Sequence, residues 1–162
     1  MRNILLFGAG KSATVLIEYL LANAVEEAWQ LTLVDADLEL AEQKLRQHPH
    51  GQAVAFDIHA DDERARYIQD ADIVLSLLPP TLHILVAQDC VQFGKNLLTA
   101  SYVDDSIRAL QGNIEAKGLL FLCEMGLDPG IDHMSAKKMI DEIQSEGGEI
   151  VSFLSHCGGL VA

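Results

Sequence analysis

The chain has 162 residues, enough for one well-buried domain and too few for a cofactor domain plus a substrate domain of ordinary size. Hydrophobic residues make up 49% and charged residues 22%, a balance that excludes a disordered chain and suits a layered α/β core. The formal net charge of -13, from 24 acidic against 11 basic residues, argues against nucleic acid or an anionic membrane surface as a partner.

The first strand is expected near residues 3–7, where Asn3-Ile-Leu-Leu-Phe7 follows the N-terminus without a signal-peptide pattern. It runs into Gly8-Ala-Gly10-Lys11-Ser12-Ala13, a G-x-G-x-x-A turn opening a helix near 11–24. Gly8 permits the tight turn, Gly10 lets the backbone approach a pyrophosphate, and Ala13 keeps helix close to strand. The pyrophosphate would rest on the helix N-terminus, where unpaired N–H groups and the positive dipole end meet it.

A second strand near 30–34 ends at Asp35, 22 residues beyond Ala13, followed by Ala36. An acid at that place accepts hydrogen bonds from the adenosine ribose hydroxyls. A 2′-phosphate there would meet like charge, and no Arg or Lys lies within Asp35–Gln43, so NAD(H) is expected over NADP(H). The alternative is that Asp35 caps the helix expected near 37–47. His48 and His50 flank Pro49 in what reads as a solvated loop.

The third strand, near 52–56, leads to Asp57-Ile58, where an acid and its neighbouring backbone would meet the adenine; a solvated turn acid is the alternative. Asp61-Asp62-Glu63 opens a helix near 61–69, where acids suit the dipole. The fourth strand, near 72–77, ends in Leu77-Leu78-Pro79-Pro80 at the switch point of the sheet. That turn either lines the nicotinamide ribose path or simply starts the helix near 81–94.

After a fifth strand near 96–99 come Ser101 and Tyr102, then a helix near 104–117 and a sixth strand near 119–123. Leu127-Asp128-Pro129-Gly130 forms the next turn, and His133 begins a helix near 132–146, either touching substrate or packing. A seventh strand near 149–155 leads to Cys157-Gly-Gly-Leu160 with no closing helix to cover the edge. This reads as an interrupted domain, against the alternative of an edge strand with a short tail.

Strands alternating with helices give an α/β fold, a three-layer doubly wound parallel sheet of Rossmann type in the order 3-2-1-4-5-6, with ligands at the strand C-terminal ends. Residues 1–148 are expected to form the dinucleotide-binding domain and 149–162 the start of a substrate domain. Cys90, Cys123 and Cys157 are odd in number and widely spaced, which suggests neither a disulfide framework nor a metal site and fits a reducing cytoplasm.

The runs Leu75-Ser-Leu-Leu-Pro-Pro-Thr-Leu-His83, Thr99-Ala-Ser-Tyr-Val103, Glu124-Met-Gly-Leu-Asp-Pro-Gly-Ile-Asp-His133 and Ser152-Phe-Leu-Ser-His-Cys-Gly-Gly-Leu160 resemble the glutamate-forming saccharopine dehydrogenases. The resemblance implies interconversion of saccharopine with glutamate and aminoadipate semialdehyde through an imine, with a nicotinamide cofactor, in lysine metabolism. It implies cofactor contacts from Gly8, Gly10, Lys11, Ser12, Ala13, Asp35, Ala36, Asp57, Ile58, Leu77, Leu78, Pro79, Leu127, Asp128 and Pro129. It assigns Ser101 and Tyr102 to substrate, and places Tyr102, Asp128 and Cys157 near the reacting carbon.

It also implies an inserted substrate domain, without which turnover is not expected. His156 stands where the family carries Tyr, and Val161 where it carries Pro. From the residues alone, Tyr102 and Asp128 follow strands where a catalytic acid or base must stand, yet either also suits a purely structural role. Cys157, without His or Asn companions, suits a small buried residue. An NAD-sensing regulatory domain and an imine reductase of polyamine synthesis are the alternative functions, and a homodimer stays open.

Overall fold

The computed structural model describes residues 1–156 and 158. Six parallel strands form one sheet in the order β3-β2-β1-β4-β5-β6. They are β1 (Arg2–Phe7), β2 (Trp29–Asp35), β3 (Gly51–Ala55), β4 (Ile73–Ser76), β5 (Asn96–Thr99) and β6 (Phe121–Leu122). The helices are α1 (Thr14–Ala22), α2 (Leu38–Leu45), α3 (Asp61–Asp70), α4 (His83–Phe93), α5 (Asp105–Arg108), α6 (Gln111–Ala116) and α7 (Ile131–Ser145). The order reverses between β1 and β4, which opens a crevice at their C-terminal ends.

The period-2 alternation of β1 explains the three layers. Leu5 and Phe7 face a core shared with Ile68 of α3 and Val86, Ala87 and Cys90 of α4. Ile4 and Leu6 face the opposite core, with Ile17, Leu20 and Leu21 of α1 and Ala41 and Leu45 of α2. A strand sandwiched this way buries both faces, so it reads as a continuous apolar run.

Three expectations are corrected. The helix expected at 104–117 is divided into α5 and α6; Ala109 and Leu110 keep right-handed backbone between them, and Gly112 just beyond weakens a continuous helix. The strand expected at 149–155 is absent: residues 149–156 form no strand and are mostly exposed. A strand needs a paired neighbour, and the adjacent edge, β6, is only two residues long. His48 and His50 are half-buried rather than solvated, their rings 5.9 Å apart, and His50 Nδ1 is buried without a partner among the described residues.

Candidate active site

The glycine turn is built by local conformation. Gly8 has φ +99°, and a Cβ there would stand 2.8 Å from the Leu77 carbonyl oxygen, so glycine is needed both for the turn and for the close passage of the β4 exit. Gly10 has an ordinary φ of -61°, and nothing lies within 4 Å of where its Cβ would be. That open space, beside the unpaired amides of a helical N-terminus, suits a pyrophosphate. Lys11–Ala13 form a 3₁₀ turn leading into α1; Ala13 is fully buried, whereas Lys11 and Ser12 are exposed.

Beside this turn lies a cleft of about 410 Å³. It brings together Gly8, Gly10, Asp35, Ala36, Asp57, Ile58, Leu77, Leu78 and Pro79, from the exits of β1, β2, β3 and β4. A larger groove of about 610 Å³ runs between α2 and β3 and gathers none of these residues. The floor of the cleft is rigid: Phe7 meets Phe56 edge-on at 6.3 Å, and Phe56 stacks on Tyr67 at 5.5 Å.

Asp35 is more committed than its position in the sequence suggests. Its Oδ2 accepts the Ala9 amide at 2.7 Å and its Oδ1 accepts the Asp37 amide at 3.1 Å. Asp37, not Asp35, caps α2, accepting from the Leu40 amide. Asp57 Oδ1 accepts from the His59 amide at 2.9 Å and pairs with His59 Nδ1 at 2.8 Å. These bonds, the amide first, hold its carboxyl below the ordinary value.

A second group of residues rims the exits of β5 and β6. Tyr102 donates its phenol proton to Asp128 Oδ1 at 2.8 Å, and both side chains are exposed. That bond to a carboxylate raises the phenol above its ordinary value, so Tyr102 stays protonated at neutral pH. The two loops are tied together where the Glu124 amide donates to the Ser101 carbonyl at 3.0 Å and Glu124 Oε1 accepts the Val103 amide at 3.2 Å. The turn holding Leu127, Asp128 and Pro129 is closed by Gly126 and Gly130; a Cβ on Gly130 would lie 2.2 Å from the Gly126 carbonyl oxygen. Its Asp128–Pro129 peptide is cis.

His133 does not pack: its ring is largely exposed, with Nδ1 2.7 Å from Asp132 Oδ1. The thiol of Cys90 is pushed up by burial, as is that of Cys123 to a lesser degree, so neither is a ready nucleophile. Cys157 lies outside the described residues. Two features gave no signal in the sequence: Lys44, one residue beyond the cation-free stretch Asp35–Gln43, whose Nζ meets Thr14 Oγ1 at the start of α1, and a hydroxyl-lined imidazole at His83. Among the described residues, no three His, Cys, Asp or Glu converge on a metal-sized site, and no helix is long and apolar enough to cross a membrane.

A glycine-turn cleft at a doubly wound switch point, with a tyrosine–carboxylate pair at the exits of the neighbouring strands, defines the dinucleotide domain of an oxidoreductase. Comparison with known proteins narrows the class: residues 4–122 match the saccharopine dehydrogenase NADP-binding domain, and residues 126–162 match the saccharopine dehydrogenase C-terminal domain. The chain belongs to the saccharopine dehydrogenase family.

The glutamate-forming, NADP(+)-dependent saccharopine dehydrogenase of Saccharomyces cerevisiae is 36% identical over 162 residues, covering 99% of this chain and 35% of that protein. An alpha-aminoadipic semialdehyde synthase of Arabidopsis thaliana is 46% identical over 109 residues, covering 67% of this chain and 10% of that protein. The apo structure of the yeast enzyme superposes with a TM-score of 0.80 at 32% identity, over 91% of this chain and 32% of its own. The chain thus spans about a third or less of these relatives.

The expectation of NAD(H) is overturned, because the domain model that covers the chain is NADP-binding. It rested on repulsion between a 2′-phosphate and a free Asp35 carboxylate. Each oxygen of that carboxylate instead accepts one backbone amide, which offsets part of its negative field, and Lys44 Nζ meets Thr14 at the start of α1.

Proposed function

We propose that this chain is the NADP(H)-binding domain of a glutamate-forming saccharopine dehydrogenase, acting on saccharopine, glutamate and aminoadipate semialdehyde. The observation that carries the proposal is the joint presence of the glycine-turn cleft and the Ser101–Tyr102–Asp128 rim in a chain that aligns throughout with the yeast enzyme. Residues 1–148 form the dinucleotide domain, and 149–162 open the substrate domain. The NAD-sensing and polyamine-reductase alternatives have no comparable support.

The dinucleotide, when bound, supplies or accepts the hydride at an imine carbon of the substrate. The chain's own groups do the rest. The glycine turn holds the pyrophosphate, the Asp57–Ile58 segment meets the adenine, and Leu77–Pro79 lines the path to the nicotinamide ribose. Leu127 and Pro129 shape the turn that carries Asp128. Tyr102 keeps a proton on Oη beside an acceptor carboxylate, an arrangement that delivers a proton to, or takes one from, a substrate nitrogen or water. Ser101 binds the amino-acid substrate. The free thiols of Cys90 and Cys123 suit a reducing compartment such as the cytoplasm.

Titration of the chain with NADPH, followed by nicotinamide fluorescence, tests the proposal. Saturable binding stronger than that of NADH is expected. Absence of NADPH binding would sink it.

A further inference from the structure

Behind Ser101 lies a buried imidazole that none of these roles uses. His83 begins α4 and is 4% exposed, Ser76 at the end of β4 is fully buried, and Thr99 closes β5. His83 Nδ1 lies 2.8 Å from Ser76 Oγ, while Nε2 lies 2.8 Å from Ser101 Oγ and 3.2 Å from Thr99 Oγ1. Burial pushes the imidazole below its ordinary value, outweighing the charge of Asp104, so the ring is neutral, with one N–H and one lone pair.

Ser76 decides which nitrogen carries the proton. Among the described residues its hydroxyl has no hydrogen-bond partner other than His83, and a buried O–H left without an acceptor is unfavourable. The buried Thr99 hydroxyl faces the other nitrogen, but at 3.2 Å against 2.8 Å for Ser76; the shorter contact takes precedence, so the Ser76 hydroxyl donates to Nδ1 and the imidazole proton sits on Nε2. That N–H points to the oxygens of Ser101 and Thr99, and Thr99 Oγ1 also accepts the Ser101 amide at 3.2 Å. With Ser101 Oγ already accepting from the ring, its own proton is left for a ligand.

We infer that His83 is a positioning residue that, as the Nε2–H tautomer, holds Ser101 as a hydrogen-bond donor toward an acceptor oxygen of the substrate, a carboxylate in an amino-acid substrate. The inference rests on the reading of Ser101 as a substrate contact. It also gives the ring a second duty. Ser76 directly precedes the Leu77–Pro79 segment of the cofactor cleft, so one imidazole sets the spacing between the cofactor side and the substrate side.

Long-range ¹H–¹⁵N NMR of the chain with NADPH present reads the tautomer directly. The expected result is a protonated Nε2 and an unprotonated Nδ1 at neutral pH, shifting toward the Nδ1–H form in Ser76→Ala. His83→Gln, whose amide nitrogen reaches about as far as Nε2, should return the Ser101 amide resonance to its wild-type position; His83→Asn, which reaches only about as far as Nδ1, should not. An Nδ1–H tautomer in the wild type, or rescue by Asn instead of Gln, would overturn the inference. Failure to bind NADPH with the tautomer as stated would count against the proposed function instead.

Discussion

The Asp35 carboxylate accepts a 2.7 Å hydrogen bond from the Ala9 amide, so the acid that ends β2 is tied to the glycine turn that ends β1. Its other oxygen holds the Asp37 amide at the entry to α2, so a single side chain braces two cofactor-facing segments. Asp35→Ala should weaken NADPH binding about tenfold, or about 1.4 kcal/mol, the scale of a lost charge-assisted hydrogen bond. NADH binding should fall by a similar factor, because the brace acts on the turn and not on the 2′ position. A change confined to one dinucleotide in fluorescence titrations would contradict this role.

Lys11 starts the 3₁₀ turn and Lys44 Nζ meets Thr14 in the first turn of α1, which places two cations beside the glycine turn. The Lys11→Ala, Lys44→Ala double variant should lose NADPH affinity about tenfold or more, on the scale of about 1.5–3 kcal/mol for bonds to charged groups, and lose less NADH affinity, because NADPH carries one more phosphate. Isothermal titration with both dinucleotides checks the difference.

The two glycines of the turn should fail in different ways. Gly8→Ala puts a Cβ against the Leu77 carbonyl at a φ of +99°, so the melting temperature should fall along with binding. Gly10→Ala meets no neighbour and has an ordinary φ, so the melting temperature should hold while NADPH binding is lost. Differential scanning calorimetry separates the two.

Tyr102 is raised above its ordinary value mainly by its hydrogen bond to Asp128. Ionising the phenol next to a carboxylate is unfavourable, so removing that negative charge should lower the value. In Asp128→Asn, phenolate absorbance should therefore appear at lower pH than in the wild type, with Tyr102→Phe as the control that identifies the signal. An unchanged titration would show that the pair does not share a proton in solution.

Arg64 is buried on α3, with Nε 2.7 Å from Asp89 Oδ2 and Nη1 2.5 Å from the Ile58 carbonyl oxygen. Arg64→Met leaves the Asp89 carboxylate buried and unpaired, at an expected cost of about 3–5 kcal/mol in urea unfolding. Adding Asp89→Leu should recover much of that loss. Since Ile58 lines the cofactor cleft, the double variant should still bind NADPH less tightly than the wild type.

Six strands and their order were legible because a sandwiched strand is apolar throughout and its helices repeat every 3.6 residues, both of which are local signals. The glycine turn was legible for the same reason: Gly8 and Ala13 are demanded by local packing and backbone geometry, and Gly10 falls within the same six residues. The region 149–155 misled because an apolar run is consistent with a strand, yet pairing depends on a neighbour, and β6 offers only two residues. Within the site, Leu77–Pro79 and Asp57 could be placed from strand ends, whereas His83 gave no signal, since a histidine at a helix start says nothing about three hydroxyls contributed by distant positions.

By itself the sequence determined the doubly wound sheet, the position of the glycine turn and the residues grouped at its C-terminal edge, because those follow from short-range periodicity and steric need. Its motifs also carried the family resemblance. Only the tertiary structure decided what each polar group is free to do. Asp35, expected to meet the ribose and to exclude a 2′-phosphate, also accepts the Ala9 and Asp37 amides, one on each oxygen. Ser101, assigned to substrate by the family resemblance, also has His83 Nε2 2.8 Å from its Oγ, a contact no motif announced. A side chain's chemistry depends on which of its donors and acceptors are already engaged, and the decisive partners lie far along the chain: His83 is 18 residues from Ser101, and Ala9 is 26 from Asp35.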